Sequence, residues 1–150
     1  MIALFGGEEI GKNVYAEEYQ NIKFKKFNKI VQRKHFLNRQ DLKIIYMSKP
    51  VEAFHFDFIK TRYFNKESKK IEIEATNNGK CYGVIQWIKL GMQDGLKFEN
   101  DPRIKNIAVA WEPVLYLFDE PIELKIGKKI SLICKHDRDK PWFFLDKIDD

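Results

Sequence analysis

Charged and apolar residues alternate from Lys70 to Ala75, which places Ile71, Ile73 and Ala75 on one face of a β-strand. Asn77-Asn78-Gly79 follows at once, and these residue types tolerate positive φ, so the pattern predicts a hairpin. Tyr82 to Met92 is a longer strand with aromatic and branched residues on both faces, and both faces are expected to be covered. Gly83 and Gly91 interrupt it where a bulge or sharp coil would let a sheet curl. Gln93-Asp94-Gly95 breaks the run, and Phe98-Glu99-Asn100-Asp101-Pro102 has the composition of a loop.

A further apolar stretch, Ile107 to Phe118, holds Trp111 and Pro113; proline has no ladder donor, so its position must lie at an edge or a bulge. Asp119-Glu120-Pro121 is expected to turn the chain, Ile122 to Ile126 to form a short alternating strand, and Gly127-Lys128 to turn it again. Lys129 to Lys135 and Trp142 to Leu145 complete the series across the polar loop His136 to Pro141. Short strands at this spacing, without helical crossovers between them, predict a mostly β fold, an antiparallel β-barrel or barrel-like sandwich.

The first half is patterned differently. Val14 to Gln20 and Phe24 to Gln32 are expected to be short helices, the second because Phe24, Phe27, Ile30 and Val31 share one helical face. Leu42 to Met47 reads as a strand ended by Ser48-Lys49-Pro50. Phe54-His55-Phe56-Asp57-Phe58 alternates strictly, so its phenylalanines are expected to point inward together and His55 to face solvent. The reading is one domain, with residues 1–45 as a helical or irregular lead and residues 46–150 as the barrel core.

Composition narrows the class. With 150 residues, 44% hydrophobic and 33% charged, the chain has enough apolar surface for one core, which excludes disordered and low-complexity classes. The formal charge of +5 is mild, and lysines interleave with glutamates in Lys69-Lys70-Ile71-Glu72-Ile73-Glu74 instead of gathering on one face, so no nucleic-acid partner is expected. No run approaches the ~20 apolar residues that span a bilayer, and Met1 to Ile10 lacks the basic start and apolar run of a secretory signal. A soluble, cytoplasmic protein without a membrane partner is the expectation. Cys81 and Cys134 sit far apart in apolar runs and are expected to be buried free thiols.

Several motifs offer chemistry that the surrounding residues decline. Gly6-Gly7-Glu8-Glu9-Ile10-Gly11-Lys12 has the spacing of a phosphate-cradling loop, and Leu115 to Glu120 imitates an apolar run ending in a magnesium-binding aspartate. Asn13 stands where a hydroxyl should meet the metal, Glu8 and Glu9 would put negative charge beside the phosphates, and no alternating strands and helices follow. A glycine-rich turn is the reading. His35, His55 and His136 lack the paired spacing of metal ligands. His136-Asp137 is either an acid/base pair or, preferably, turn chemistry where a strand enters a loop. Of Trp87, Trp111 and Trp142, each is expected in a strand with its indole in the core or lining a groove. Trp111-Glu112-Pro113 is the best groove candidate, because proline after a strand tryptophan breaks pairing and can turn ring and carboxylate toward an opening.

The order of Gly83-Val84-Ile85-Gln86-Trp87-Ile88-Lys89-Leu90, Phe98-Glu99-Asn100-Asp101-Pro102, Ala110-Trp111, Tyr116-Leu117-Phe118, Pro121 to Gly127, and His136-Asp137 before Trp142-Phe143-Phe144 carries a resemblance. Phe54 to Leu145 resembles the C-terminal β-barrel of protein arginine methyltransferases and of the bacterial methyltransferase-like proteins related to them. Phe24 to Ile30 also resembles a short segment upstream of that barrel in the bacterial relatives. The resemblance implies a substrate-binding and dimerisation barrel, with S-adenosylmethionine held by a preceding Rossmann-like domain. These 150 residues offer neither a Gly-x-Gly-x-Gly loop between strand and helix nor room for the parallel sheet around it. The family's Thr-His-Trp loop is Val109-Ala110-Trp111 here, keeping the indole and losing the imidazole and hydroxyl.

The sequence therefore leads to a barrel that is not catalytic alone, with Trp111 and Glu112 at the substrate groove and Glu99 and Asn100 on the neighbouring loop. No catalytic, cofactor-binding or metal-ligating residue is assigned, and S-adenosylmethionine enters only through a missing domain. The expected partners are a protein or peptide substrate, a methyltransferase domain, or a second copy as a homodimer. The alternative is a free-standing β-barrel binding or assembly module for a peptide or apolar ligand, unrelated to methyl transfer.

Overall fold

The computed structural model describes residues 1–15, 18–24, 26, 28, 33–37, 43–104 and 111–148. Among these residues it is mostly β, with antiparallel sheets and one short α-helix. The strands are β1 (Ile2–Gly6), β2 (Glu18–Tyr19), β3 (Ile22–Lys23), β4 (Lys34–Phe36), β5 (Ile45–Tyr46), β6 (Glu67–Glu74), β7 (Gly79–Gln86), β8 (Lys89–Gly91), β9 (Lys97–Glu99), β10 (Val114–Leu124), β11 (Lys129–His136) and β12 (Pro141–Ile148). They form a five-stranded sheet ordered β4-β10-β7-β1-β5, a three-stranded sheet ordered β12-β11-β6, and the hairpins β2-β3 and β8-β9. Among the described residues these sheets do not close into a barrel by strand pairing.

Strand alternation divides the core in two. On one face of the large sheet Ile2, Leu4, Val84, Val114 and Tyr116 meet Ile73, Ile130, Leu132, Cys134 and Phe143 of the small sheet. On the other face Ala3, Phe5, Ile85, Leu115 and Leu117 are covered by Ile10, Tyr15 and Leu37. The large sheet is thus buried on both sides, as the apolar residues at both parities of β7 predict. Cys81 and Cys134 are both buried and free. Burial pushes the Cys81 thiol up to about 12 and the Cys134 thiol up to about 11.

Ile2–Gly6, read above as part of an irregular lead, is a central strand with no exposed residue, hydrogen-bonded between β7 and β5. Its run of consecutive apolar residues carries no alternation to mark it as a strand. The glycine turn after it opens a helix, α1 (Glu8–Val14), with Glu8 and Glu9 in the first turn and Lys12 in the last, charges that suit the helix dipole. Gly11 packs so closely on the Tyr82 ring that a Cβ there would overlap it. The helix expected over Val14 to Gln20 is not formed. Val14 ends α1, and β2 pairs with β3 across Gln20 and Asn21, both at positive φ as a two-residue hairpin turn requires. Of the helix expected over Phe24 to Gln32, only Phe24, Lys26 and Asn28 lie among the described residues; Asn28 N–H donates to the Phe24 carbonyl at 3.0 Å.

Three further expectations are corrected by the structure. β6 has the predicted inward Ile71, Ile73 and Ala75, but it does not pair with β7; it pairs with β11, and β7 lies between β1 and β10. The Asn77-Asn78-Gly79 segment carries the chain from one sheet to the other. Asn77 Nδ2 donates to the Tyr46 carbonyl at 2.6 Å, and Asn78 Oδ1 accepts from Ile126 N–H at 2.8 Å. The sheets are stitched along this side by an antiparallel bridge between Ser48 and Ala75 and by Thr76 N–H donating to the Met47 carbonyl at 2.8 Å. Second, Asp119-Glu120-Pro121 does not turn the chain. β10 runs through it, and its register against β7 jumps from Leu117↔Gly83 to Ile122↔Cys81, so the donor-less proline is looped out of the ladder as a bulge. The Tyr15 hydroxyl donates to the Phe118 carbonyl at this bulge, at 2.5 Å. Third, Phe54 to Phe58 is not a strand: Phe54 packs on the core, whereas Phe56 and Phe58 are exposed.

Candidate functional site

Phe36, Val114 and Gln86 sit opposite one another in the ladders β4-β10 and β10-β7, so their side chains form one cross-strand row at the end of the large sheet. Trp87 and Ile88 continue from that row, and Trp111 and Glu112 enter it from the other side just before β10. Together with Asn100 these residues line a groove of about 470 Å³. Pro113 precedes β10, where it breaks no ladder, and its carbonyl accepts from Leu37 N–H at 2.8 Å.

Three of the four residues that the sequence assigns to a groove do converge here. Trp111 is 56% exposed and stands edge-on to Phe98, with ring centroids 6.1 Å apart. Glu112 is exposed beside it. Asn100 is buried, and its amide is committed to the chain itself: Oδ1 accepts from Ile88 N–H at 2.6 Å while Nδ2 donates to the Trp111 carbonyl at 2.8 Å. It therefore clips the tryptophan segment to the end of β7. Glu99 does not line the groove. It belongs to β9, opposite Lys89, not to a loop, and its Oε1 accepts from Trp87 Nε1–H at 2.8 Å.

That contact fixes the wall behind the groove. Trp87 is 1% exposed and stacks on Tyr46 at 5.8 Å and 10°; the Arg103 guanidinium lies 4.4 Å from the Tyr46 ring on Asp101's side of the cluster. Asp101 takes the guanidinium in an ion pair and accepts from the Tyr46 hydroxyl at 3.0 Å. Burial alone would raise the Asp101 carboxyl, but hydrogen bonds from the Arg103 side chain and backbone and from Tyr46 outweigh it and hold the group below the usual carboxylate value. The Tyr46 hydroxyl is driven far above the usual phenol value, by burial first and by the neighbouring Asp101 carboxylate second. Sequence reasoning missed Phe36, Tyr46 and Arg103. Only the register that brings β4 beside β10 and β5 beside β1 places Phe36 and Tyr46 here.

The groove presents an exposed indole, the exposed Phe36 ring, one carboxylate and amide groups. Such a lining can bind and orient a side chain or a short segment. Among the described residues neither serine, threonine, cysteine nor histidine lines it. Among the described residues no group of three or more His, Cys, Asp and Glu is arranged to hold a metal ion. Trp111 and Trp87 lie outside strands, and Trp142 is in β12, partly exposed. Val109 and Ala110 lie outside the described residues.

The other motifs resolve as structure. His136 ends β11, buried, with Phe54 and Phe56 edge-on at 4.7 and 5.1 Å, and its Nε2 is 3.6 Å from Glu67. Asp137 turns the β11-β12 hairpin by accepting from the backbone N–H groups of Asp139 and Lys140, so the turn reading of His136-Asp137 is the one observed. His55 is exposed beside Glu52. A larger, open depression of about 710 Å³ lies where Gly7, Glu8, Glu9 and Lys12 face Lys43 and Ile45. The strand leading into it has antiparallel neighbours on both sides, unlike a phosphate-cradling loop in a parallel sheet.

No protein-family model matches the chain, and no curated protein does.

Proposed function

We propose that this chain is a non-catalytic binding domain whose Trp111–Glu112 groove receives an extended protein or peptide segment. In this reading the two sheets are the curled walls of a barrel-like domain, and the role is that of the substrate-binding barrel its sequence resembles. The stitching at Ser48–Ala75 and the shared core between the sheets support the curled architecture. In this reading a methyl donor would be held by another domain, as in the family the sequence resembles.

One observation carries the proposal. Trp111 is left exposed on a segment whose backbone is pinned by a buried asparagine, so an apolar face is pre-organised at low entropic cost to a ligand. Panning a displayed peptide library against the wild-type chain and against Trp111→Ala tests it. Peptides enriched by the wild type and not by the variant are expected; equal enrichment overturns the groove assignment. Calorimetric titration of the chain with S-adenosylmethionine is expected to show no binding heat, and saturable binding would overturn the non-catalytic reading.

A further inference from the structure

The segment between Phe54 and β6 is built in an unusual way for a surface loop. Phe58, Ile59 and Tyr63 are 69%, 98% and 89% exposed, so they stand out from the surface as large apolar side chains. Lys60, Arg62 and Lys66 are exposed among them, against the single carboxylate of Asp57. The protrusion is nevertheless fixed. Phe58 and Phe56 each pack edge-on against Phe64, at 5.2 and 5.1 Å, and Phe56 rests on the buried His136 ring.

Part of the tip's backbone is paired within the turn. Asp57 Oδ1 accepts from the N–H groups of Ile59 and Lys60, both at 3.1 Å, and the Asp57 carbonyl accepts from Thr61 N–H at 3.1 Å. Tyr63 N–H donates to Thr61 Oγ1 at 3.1 Å, and that hydroxyl donates to the Tyr63 carbonyl at 3.0 Å. Lys60 Nζ lies 3.2 Å from Asp57, which leaves Arg62 and Lys66 as the cations away from the turn's own carboxylate. A partner that adds a strand needs an extended run of open N–H and C=O groups on the receiving chain, whereas this tip is a turn in which the N–H groups of Ile59, Lys60, Thr61 and Tyr63 are already taken. Donors paired in this way, and apolar side chains that carry none, enter an interfacial layer at lower cost than open ones.

We infer that the Phe58–Tyr63 turn is a peripheral docking surface for an anionic lipid bilayer. Phe58 and Ile59 enter the boundary between headgroups and acyl chains, Tyr63 takes the interfacial position that amphipathic rings prefer, and Arg62 and Lys66 meet lipid phosphates. A convex apolar tip ringed by cations matches a soft apolar layer under a negative surface. The absence of a spanning run in the sequence bears only on crossing the bilayer, and this turn is too short to cross.

Co-sedimentation of the full chain with vesicles tests the inference. The chain is expected to pellet with phosphatidylcholine–phosphatidylserine vesicles and not with phosphatidylcholine alone, and to be released as salt is raised. The double variant Phe58→Asp, Ile59→Asp is expected to lower the bound fraction about tenfold or more, as is Arg62→Glu with Lys66→Glu. All four side chains are exposed, so the thermal midpoint should stay at the wild-type value and separate lost docking from lost folding. Equal pelleting of wild type and double variant, or no pelleting with the anionic vesicles, overturns the inference. A wild-type dimer in gel filtration that the apolar double variant converts to monomer also overturns it, assigning the turn to a second copy of the chain.

Discussion

The indole N–H of Trp87 points its one hydrogen bond at Glu99, 2.8 Å away, although Trp87 lies just past the end of β7 and Glu99 on β9 of the separate hairpin. This ties the β8-β9 hairpin to the end of β7, and it turns a carboxylate that the sequence placed at the groove into a support for the groove's rear wall. Replacing Glu99 with alanine leaves a buried indole donor unpaired. The expected loss is about 1–3 kcal/mol in urea unfolding, against a change within about 0.5 kcal/mol for Glu112→Ala on the exposed rim. Glu99→Gln, which keeps an acceptor oxygen, should recover most of the loss.

Asn100 makes the same kind of link with both ends of its amide. Asn100→Asp retains the acceptor for Ile88 N–H but sets a carboxylate oxygen against the Trp111 carbonyl. The expected outcome is a loss of about 2–4 kcal/mol together with loss of peptide capture by the groove. Chemical denaturation and the peptide panning described above read the two effects separately.

At Gly83 a Cβ would lie far inside contact distance of the Tyr116 carbonyl oxygen, on the neighbouring strand's backbone. Neither strand can move aside, because β7 and β10 are paired along this length and buried on both faces. Gly83→Ala is expected to cost about 3 kcal/mol or more. Gly91→Ala, with nothing within 4 Å of the added methyl, serves as the near-neutral control in thermal unfolding.

Acid should loosen the Asp101 cluster. Folding lowers this carboxyl, so its stabilisation is complete above the ordinary carboxylate pKa of about 3.9 and is lost as pH falls through the lower folded value. The urea midpoint of the wild type is expected to drop with a measurable slope below about pH 4. Asp101→Asn, which cannot titrate, should start less stable and show a shallower slope.

The thiols report on core integrity. With Cys81 raised to about 12 and Cys134 to about 11 by burial, neither presents thiolate at neutral pH. A thiol-reactive dye is expected to label the native chain only as fast as the chain opens, and both cysteines at once in denaturant. Rapid labelling of Cys134 alone in native buffer would mean that the small sheet detaches from the large one.

Where a feature depended on neighbouring residues, the sequence was legible. The inward stripe of β6, the break at Gln93-Asp94-Gly95 and the buried thiols all follow from local alternation or turn chemistry. Where a feature depended on which distant strand arrived, it was not. Asn77-Asn78-Gly79 has the composition of a hairpin turn, yet Tyr46 and Ile126 claim its side chains and send β7 to the other sheet. Asp119-Glu120-Pro121 reads as a turn because its residues cannot continue a ladder; the pairing on either side carries the strand across regardless. The groove divided on the same line: Trp111 and Glu112 were marked by the proline beside them, whereas Phe36 arrives only through register with Val114.

The place of β1 has a kinetic consequence. Ile2 finds Gln86 on one side, and Phe5 finds Tyr46 on the other. This interior strand, next to the edge strand β5, thus depends on partners 41 and 84 residues away along the chain, and no early fragment holds both of its neighbours. Assembly must wait for loop closures of high entropic cost, so refolding from denaturant should be slow for a domain of this size, with β1 amides gaining exchange protection together with those of β7.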